Sequence, residues 1–96
     1  YGPNYGFSPK GRGKAAVDWV KAENDRRIVD ALTALEPKRV IDEALSHQNA
    51  CCAGAAATAI SAGNELGADS AELVSYATSY DKRPGDSLVG YAGIVF

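Results

Sequence analysis

Glu72-Leu73-Val74-Ser75-Tyr76-Ala77-Thr78 and Leu88-Val89-Gly90-Tyr91-Ala92-Gly93-Ile94-Val95-Phe96 decide the fold class. Both are rich in β-branched and aromatic residues, with apolar side chains at odd and even positions. Each reads as a strand buried on two faces. Tyr80-Asp81-Lys82-Arg83-Pro84-Gly85-Asp86 between them carries turn chemistry and mixed charge. Two strands are too few for a stable sheet. The expectation is a sheet completed by strands from elsewhere in a longer protein or from a second copy of this chain, with helices covering it.

Upstream of the strands the period changes from two to that of a helix. Ala53 to Ala62 is a run of small residues read as a helix, ending near Leu66 with Gly67 just past its end. Small side chains allow close backbone approach, which places this helix in the middle of the structure. Val40, Ile41, Ala44 and Leu45 mark the buried face of a preceding short helix. Pro37 starts that helix, and Glu36-Pro37 stops the one before it, because proline suits a first helical turn and disfavours helix at the residue ahead of it. Ile28, Val29, Leu32 and Leu35 form one helical stripe, with Asn24 read as its N-cap. A further helical pattern starts at Lys14, with Ala16, Val17 and Val20 on one face and Trp19 beside it. Residues 1–13 are a loop of glycine, proline and three aromatics, Tyr1, Tyr5 and Phe7, suited to pinning onto a surface. The organisation expected is α/β: a loop over 1–13, about four helices over 14–67 and two strands over 71–96.

The 96 residues are 46% hydrophobic and 23% charged, a globular balance for one domain that excludes disordered and low-complexity readings. Twelve acids against ten bases leave a net charge of −2, so no global field favours nucleic acid or an anionic membrane surface. The longest small-apolar stretch, Ala50 to Ile60, is too short to span a bilayer. The two cysteines are neighbours, Cys51 and Cys52, which excludes a disulfide framework and points to a reducing, cytoplasmic compartment. The chain lacks methionine and ends on an apolar run, so it reads as a piece of something longer.

Few residues stand out as chemistry. Cys51-Cys52 opens the alanine-rich helix, where backbone N–H groups and the helix dipole favour thiolate, so the pair fits a metal ligand or nucleophile as well as a small buried residue. His47 precedes it by a few positions, a spacing compatible with a shared site but no established metal signature, and a lone histidine at a helix C-terminus is more often a cap matched to the helix dipole. Lys10-Gly11-Arg12-Gly13-Lys14 resembles a phosphate contact, but no Ser or Thr follows at P-loop spacing and no strand precedes it, which favours a solvated loop. Asp81 and Asp86 have no visible partner and are assigned to solvent.

In order along the chain, Tyr1-Gly2-Pro3-Asn4-Tyr5-Gly6-Phe7, Leu35-Glu36-Pro37, Asn49-Ala50-Cys51-Cys52, Tyr76-Ala77-Thr78-Ser79 and Val89-Gly90-Tyr91-Ala92 resemble the C-terminal part of the Memo-like family. The resemblance runs through the whole chain and implies the last third of a longer protein, beginning just after a site histidine. It implies an α/β architecture like that of the class III extradiol dioxygenases, which use a non-haem metal, with iron or copper held by histidines and one cysteine. The residue carried over is Cys52, at the Asn-x-x-Cys position, as a metal ligand or catalytic group, with its co-ligands outside this chain. Cys51 falls on an apolar family position and is expected to point into the core. Two departures stand out: Ala53 replaces a glycine, and Ala55-Ala56-Ala57 lacks the family's proline.

From this resemblance the chain is expected to supply one ligand and part of a pocket wall, and to be inactive alone, because one soft ligand does not hold a catalytic metal. The competing reading is a non-catalytic peptide-binding module of the same fold, using the aromatic loop with Lys10, Arg12 and Lys14. Partners expected are the rest of a longer protein or a second copy, with a dimer through the final strands, and neither nucleic acid nor membrane. A thiol at a helix start is expected to have a depressed pKa, making Cys52 the more reactive of the pair.

Overall fold

The computed structural model describes residues 1–96. Lys14 to Thr33 is one uninterrupted helical rod made of α1 (Lys14–Trp19), a π-helical turn (Val20–Asn24) and α2 (Asp25–Thr33). Asn24 therefore caps nothing. Its backbone is helical (φ −70°, ψ −45°) and its side chain makes no capping bond. The helix started earlier, at Gly13-Lys14, and the polar residue inside it has a tertiary role described below.

Leu35 adopts a left-handed φ of 57°, Glu36 is extended and Pro37 opens α3 (Pro37–His47). This break follows the expected proline logic. After residues 48–52 comes α4 (Ala53–Glu65). It ends in a Schellman motif, with Gly67 at φ 97° and hydrogen bonds from Gly67 N to Asn64 O (3.1 Å) and from Ala68 N to Gly63 O (2.9 Å). Then come β1 (Glu72–Thr78), the single helical turn α5 (Ser79–Lys82) and β2 (Gly90–Val95). The architecture is α/β, with four helices, one added turn and a two-stranded sheet.

The core has two centres. Ile28 and Ala31 of α2, Val40 of α3 and Ile60 of α4 form one, closed by Leu32, Leu35, Ala53 and Ala56. Val17 and Val20 meet Leu88 in the other, edged by Tyr1, Trp19 and Tyr80. Each of these larger aliphatic side chains contributes about 1.5–3 kcal/mol by leaving water. The alanine-rich α4 is not central. Only Ala57 and Ile60 are buried: the helix packs on α3, sends Ile60 to Ile28 and Ala31 of α2 and holds the Phe96 ring against Gly63, while most of its other methyl-sized side chains stay open to solvent. Leu45, expected on the buried face of α3, is 78% exposed: the stripe is centred on Val40, and Leu45 lies beyond what α2 and α4 cover.

The strands are antiparallel, pairing Glu72 with Val95, Tyr76 with Ala92 and Thr78 with Gly90. A register shift between Leu73 and Ser75 adds one residue to β1. Leu73 and Tyr76 are three apart and would otherwise face opposite sides; the added residue turns both toward α2. The far face carries Tyr91 and Val95, both exposed, as is Val74 at the register shift. The expectation of burial on two faces is thus met on one only: α2 packs on both strands, and nothing within these residues covers the other side. β2 is also shorter than expected, because Leu88 pairs with Tyr1 instead (Tyr1 N to Leu88 O 2.9 Å; Leu88 N to Tyr1 O 3.0 Å). That pairing pins the N-terminal loop, with help from Tyr1–Phe7 stacking at 5.6 Å and an edge contact between Tyr1 and Trp19. No helix is long and apolar enough to cross a membrane.

Candidate functional site

The π turn fixes the site. Its extra residue sends the Asp25 N–H to Val20 O and leaves both Asn24 and Asp25 facing inward. Asp25 is 6% exposed. Its Oδ1 accepts from the Tyr1 hydroxyl at 2.6 Å and its Oδ2 from the Tyr76 hydroxyl at 2.6 Å, lengths typical of charge-assisted O–H···O⁻ bonds. Burial, and then the hydrogen bond to Asp25, push both phenols well above the ordinary tyrosine value, so they stay protonated donors at neutral pH. Gly90 completes the enclosure: a Cβ there would overlap Asp25 Oδ2.

Two asparagines extend the network. Asn24 Nδ2 donates to the Tyr1 hydroxyl (2.9 Å) and to His47 O (3.1 Å). Asn49 Nδ2 donates to Asn24 O (3.1 Å), while Asn49 Oδ1 is buried without a partner. The loop, the long helix, the segment after α3 and β1 thus converge on one carboxylate. Asp25 and Asn49 line two adjoining clefts. One, about 460 Å³, is walled by Tyr1, Tyr5, Phe7, Ala50 and Cys51; the other, about 250 Å³, by Tyr76, Gly90, Tyr91, Cys51 and Cys52. Asp25 is the only formally charged side chain lining either cleft.

Both cysteines lie on this rim, exposed, with their sulfurs 3.8 Å apart. Cys51 therefore does not pack into the core. The pair sits in the bend before α4 rather than on the helix, so the turning of about 100° per residue that would separate two helical neighbours does not apply. The direction expected for Cys52 is reversed as well: contact with the Cys51 thiol pushes its pKa up, and its side chain makes no capping bond to α4. His47 sits in the last turn of α3, its Nε2 3.8 Å from Glu43 Oε2, and Glu43 is itself gripped by Arg27 at 3.2 Å through two nitrogens. No three His, Cys, Asp or Glu side chains gather closely enough to hold a metal. These residues fit part of a metal site at most, two thiols and no third ligand.

The basic loop is spoken for. Lys10 lies over the Trp19 ring at 5.7 Å, Arg12 reaches Asp86 at 3.4 Å and Lys14 pairs with Asp18 at 3.0 Å. Asp81 is not left to solvent either. It pairs with Lys21 and accepts from Thr78 N (2.8 Å) and Thr78 Oγ1 (3.1 Å) as the capping box of α5. Lys21, and then the Thr78 amide, hold its carboxyl below the ordinary range.

Against known proteins, the family model for Memo-like proteins matches residues 1–95. The chain belongs to the Memo-like family. A MEMO1 family protein of Thermococcus onnurineus is 36% identical over 99 residues, covering all of this chain and 34% of that protein. One of Methanopyrus kandleri is 38% identical over 77 residues, covering 77% of this chain and 27% of that protein. A third, from Thermococcus kodakarensis, is 33% identical over 99 residues. The chain spans about a third of the length of the curated relatives it matches. No solved structure matches it.

In this Memo-like chain, reasoning from sequence found the cysteines and missed Asp25. A signal was available. Asn24 stands four residues after Val20 and four before Ile28, and Asp25 four before Val29, so two polar residues occupy an otherwise apolar stripe. A buried polar side chain on such a stripe needs partners, and the Tyr1 and Tyr76 hydroxyls and the His47 carbonyl supply them.

Proposed function

We propose that this chain forms one wall of a metal-holding pocket in a Memo-like protein related to the class III extradiol dioxygenases. Cys52 contributes a single ligand, and the remaining ligands come from outside these residues. The observation that carries the reading is the placement of both exposed thiols on the rim of clefts floored by the buried Asp25 carboxylate. Iron or copper suits a thiolate with imidazole co-ligands. Asp25, held by two phenols, acts as a fixed negative charge that orients what enters the clefts beside it. The chain alone is inactive on this reading, because it holds no complete donor set. Two unpaired thiols support a reducing, cytoplasmic setting.

The test measures metal retained after dialysis from iron(II) or copper, for the 96-residue chain and for a protein of the relatives' length carrying it. The longer protein retains stoichiometric metal and loses it on Cys52→Ala, while the chain alone retains none. Unchanged metal content in the longer Cys52→Ala variant overturns the assignment. A second reading, a peptide-binding module, draws on the 61% exposure of Tyr5 beside the larger cleft. It predicts that Tyr5→Ala weakens peptide binding while Cys52→Ala does not.

A further inference from the structure

We propose that Cys51 and Cys52 form a vicinal dithiol that small-molecule disulfides oxidise, reversibly, to a disulfide within the chain. Both side chains are exposed, and their sulfurs already stand 3.8 Å apart. The chain has no other cysteine to compete. The pair occupies irregular backbone between the end of α3 and Ala53, with Cys52 at φ −118° and ψ 43°, so the peptide joining them is not locked into helical geometry.

The chemistry balances without a metal. The thiolate of one cysteine attacks a sulfur of the small disulfide, breaking its S–S bond and releasing one thiol, which takes up a proton. The second cysteine, deprotonated, attacks the protein sulfur of the mixed disulfide, forms the Sγ–Sγ bond and releases the second thiol. The protein loses two electrons and two protons, and the small disulfide is reduced to two thiols. The second step is favoured because the attacking sulfur is already in place.

Strain makes the bond a switch rather than a staple. Closure brings the sulfurs from 3.8 Å to about 2.05 Å. Adjacent Cα atoms are about 3.8 Å apart across a trans peptide, below the usual disulfide span of about 4.4–6.8 Å. A strained, exposed disulfide has a high reduction potential and is readily reversed by thiols. Closure also bends the backbone next to Asn49 and Ala50, which line both clefts, so oxidation reshapes their rim.

The experiment treats the reduced, metal-free 96-residue chain with oxidised glutathione, alkylates the remaining thiols in acid-quenched samples and weighs the intact protein. The wild-type chain becomes a monomer lighter by two hydrogens, with no adduct and no alkylation, and dithiothreitol reverses the change. Cys51→Ser and Cys52→Ser each stop at a single glutathione adduct. A wild-type product that keeps glutathione on either cysteine, or forms disulfide-linked dimers, overturns the proposal. So does a lighter monomer that forms only in urea, since the folded geometry would then oppose closure. Because no metal is present, this outcome is independent of whether Cys52 is a metal ligand.

Discussion

Replacing Tyr76 by Phe removes one hydroxyl and leaves the ring in place between β1 and α2. The lost bond is the 2.6 Å donation to Asp25 Oδ2. Hydrogen bonds to charged groups contribute about 1.5–3 kcal/mol net, and a buried acceptor left short of a donor sits toward the upper part of that range. Asp25 is 6% exposed, but Tyr76 borders an open cleft from which water can partly replace the hydroxyl. The expected destabilisation is about 2 kcal/mol, which for a domain of this size lowers the Tm by roughly 8–16 °C. Urea unfolding followed by fluorescence of Trp19, the single tryptophan, measures it. Tyr91→Phe is the matched control on the neighbouring strand, 61% exposed, and should stay within about 0.5 kcal/mol of wild type. Tyr1→Phe acts on the same carboxylate through Oδ1, so the double variant should depart from additivity by more than about 0.5 kcal/mol. If Tyr76→Phe is no more destabilising than Tyr91→Phe, the carboxylate is not held as described and the site loses its floor.

Gly90→Ala should destabilise by more than Gly93→Ala, because only at Gly90 would a Cβ overlap Asp25, and the two melting curves compare them directly. The folded chain holds the Tyr1 and Tyr76 protons more tightly than the unfolded chain, so that stability is fully present below the ordinary value of about 10 and is lost as pH rises through the folded-state values. Alkaline denaturation should therefore begin above pH 10 and flatten in the double Phe variant. Ile60→Ala should cost about 2–5 kcal/mol by opening a cavity among α2, α3 and α4, while the exposed Leu45→Ala should cost almost nothing in the same urea titration. The open sheet face bearing Tyr91 and Val95 should drive self-association, and a clean 10.0 kDa monomer by light scattering at high concentration would count against it.

The local grammar was legible in the residues themselves. Pro37 can only begin a helix, Gly67 accepts the left-handed turn that ends one, and the change from helical spacing to β-branched runs placed both strands. The ordered motifs from Tyr1 to Ala92 also sufficed for the family. Each of these signals acts within a few positions, through fixed φ, missing donors or side-chain period, so no distant residue is needed to read it. Asp25 belongs to the other kind. Its partners are 24 and 51 positions away, and nothing local distinguishes a buried aspartate with two phenols from a solvated one. Asn24 looks like a cap until Tyr1 and His47 arrive to take its amide, and Asp81 looks solvated until α5 folds back to meet Lys21. Only tertiary packing settled these, because the cost of burying a polar group is decided by which partners the fold brings to it.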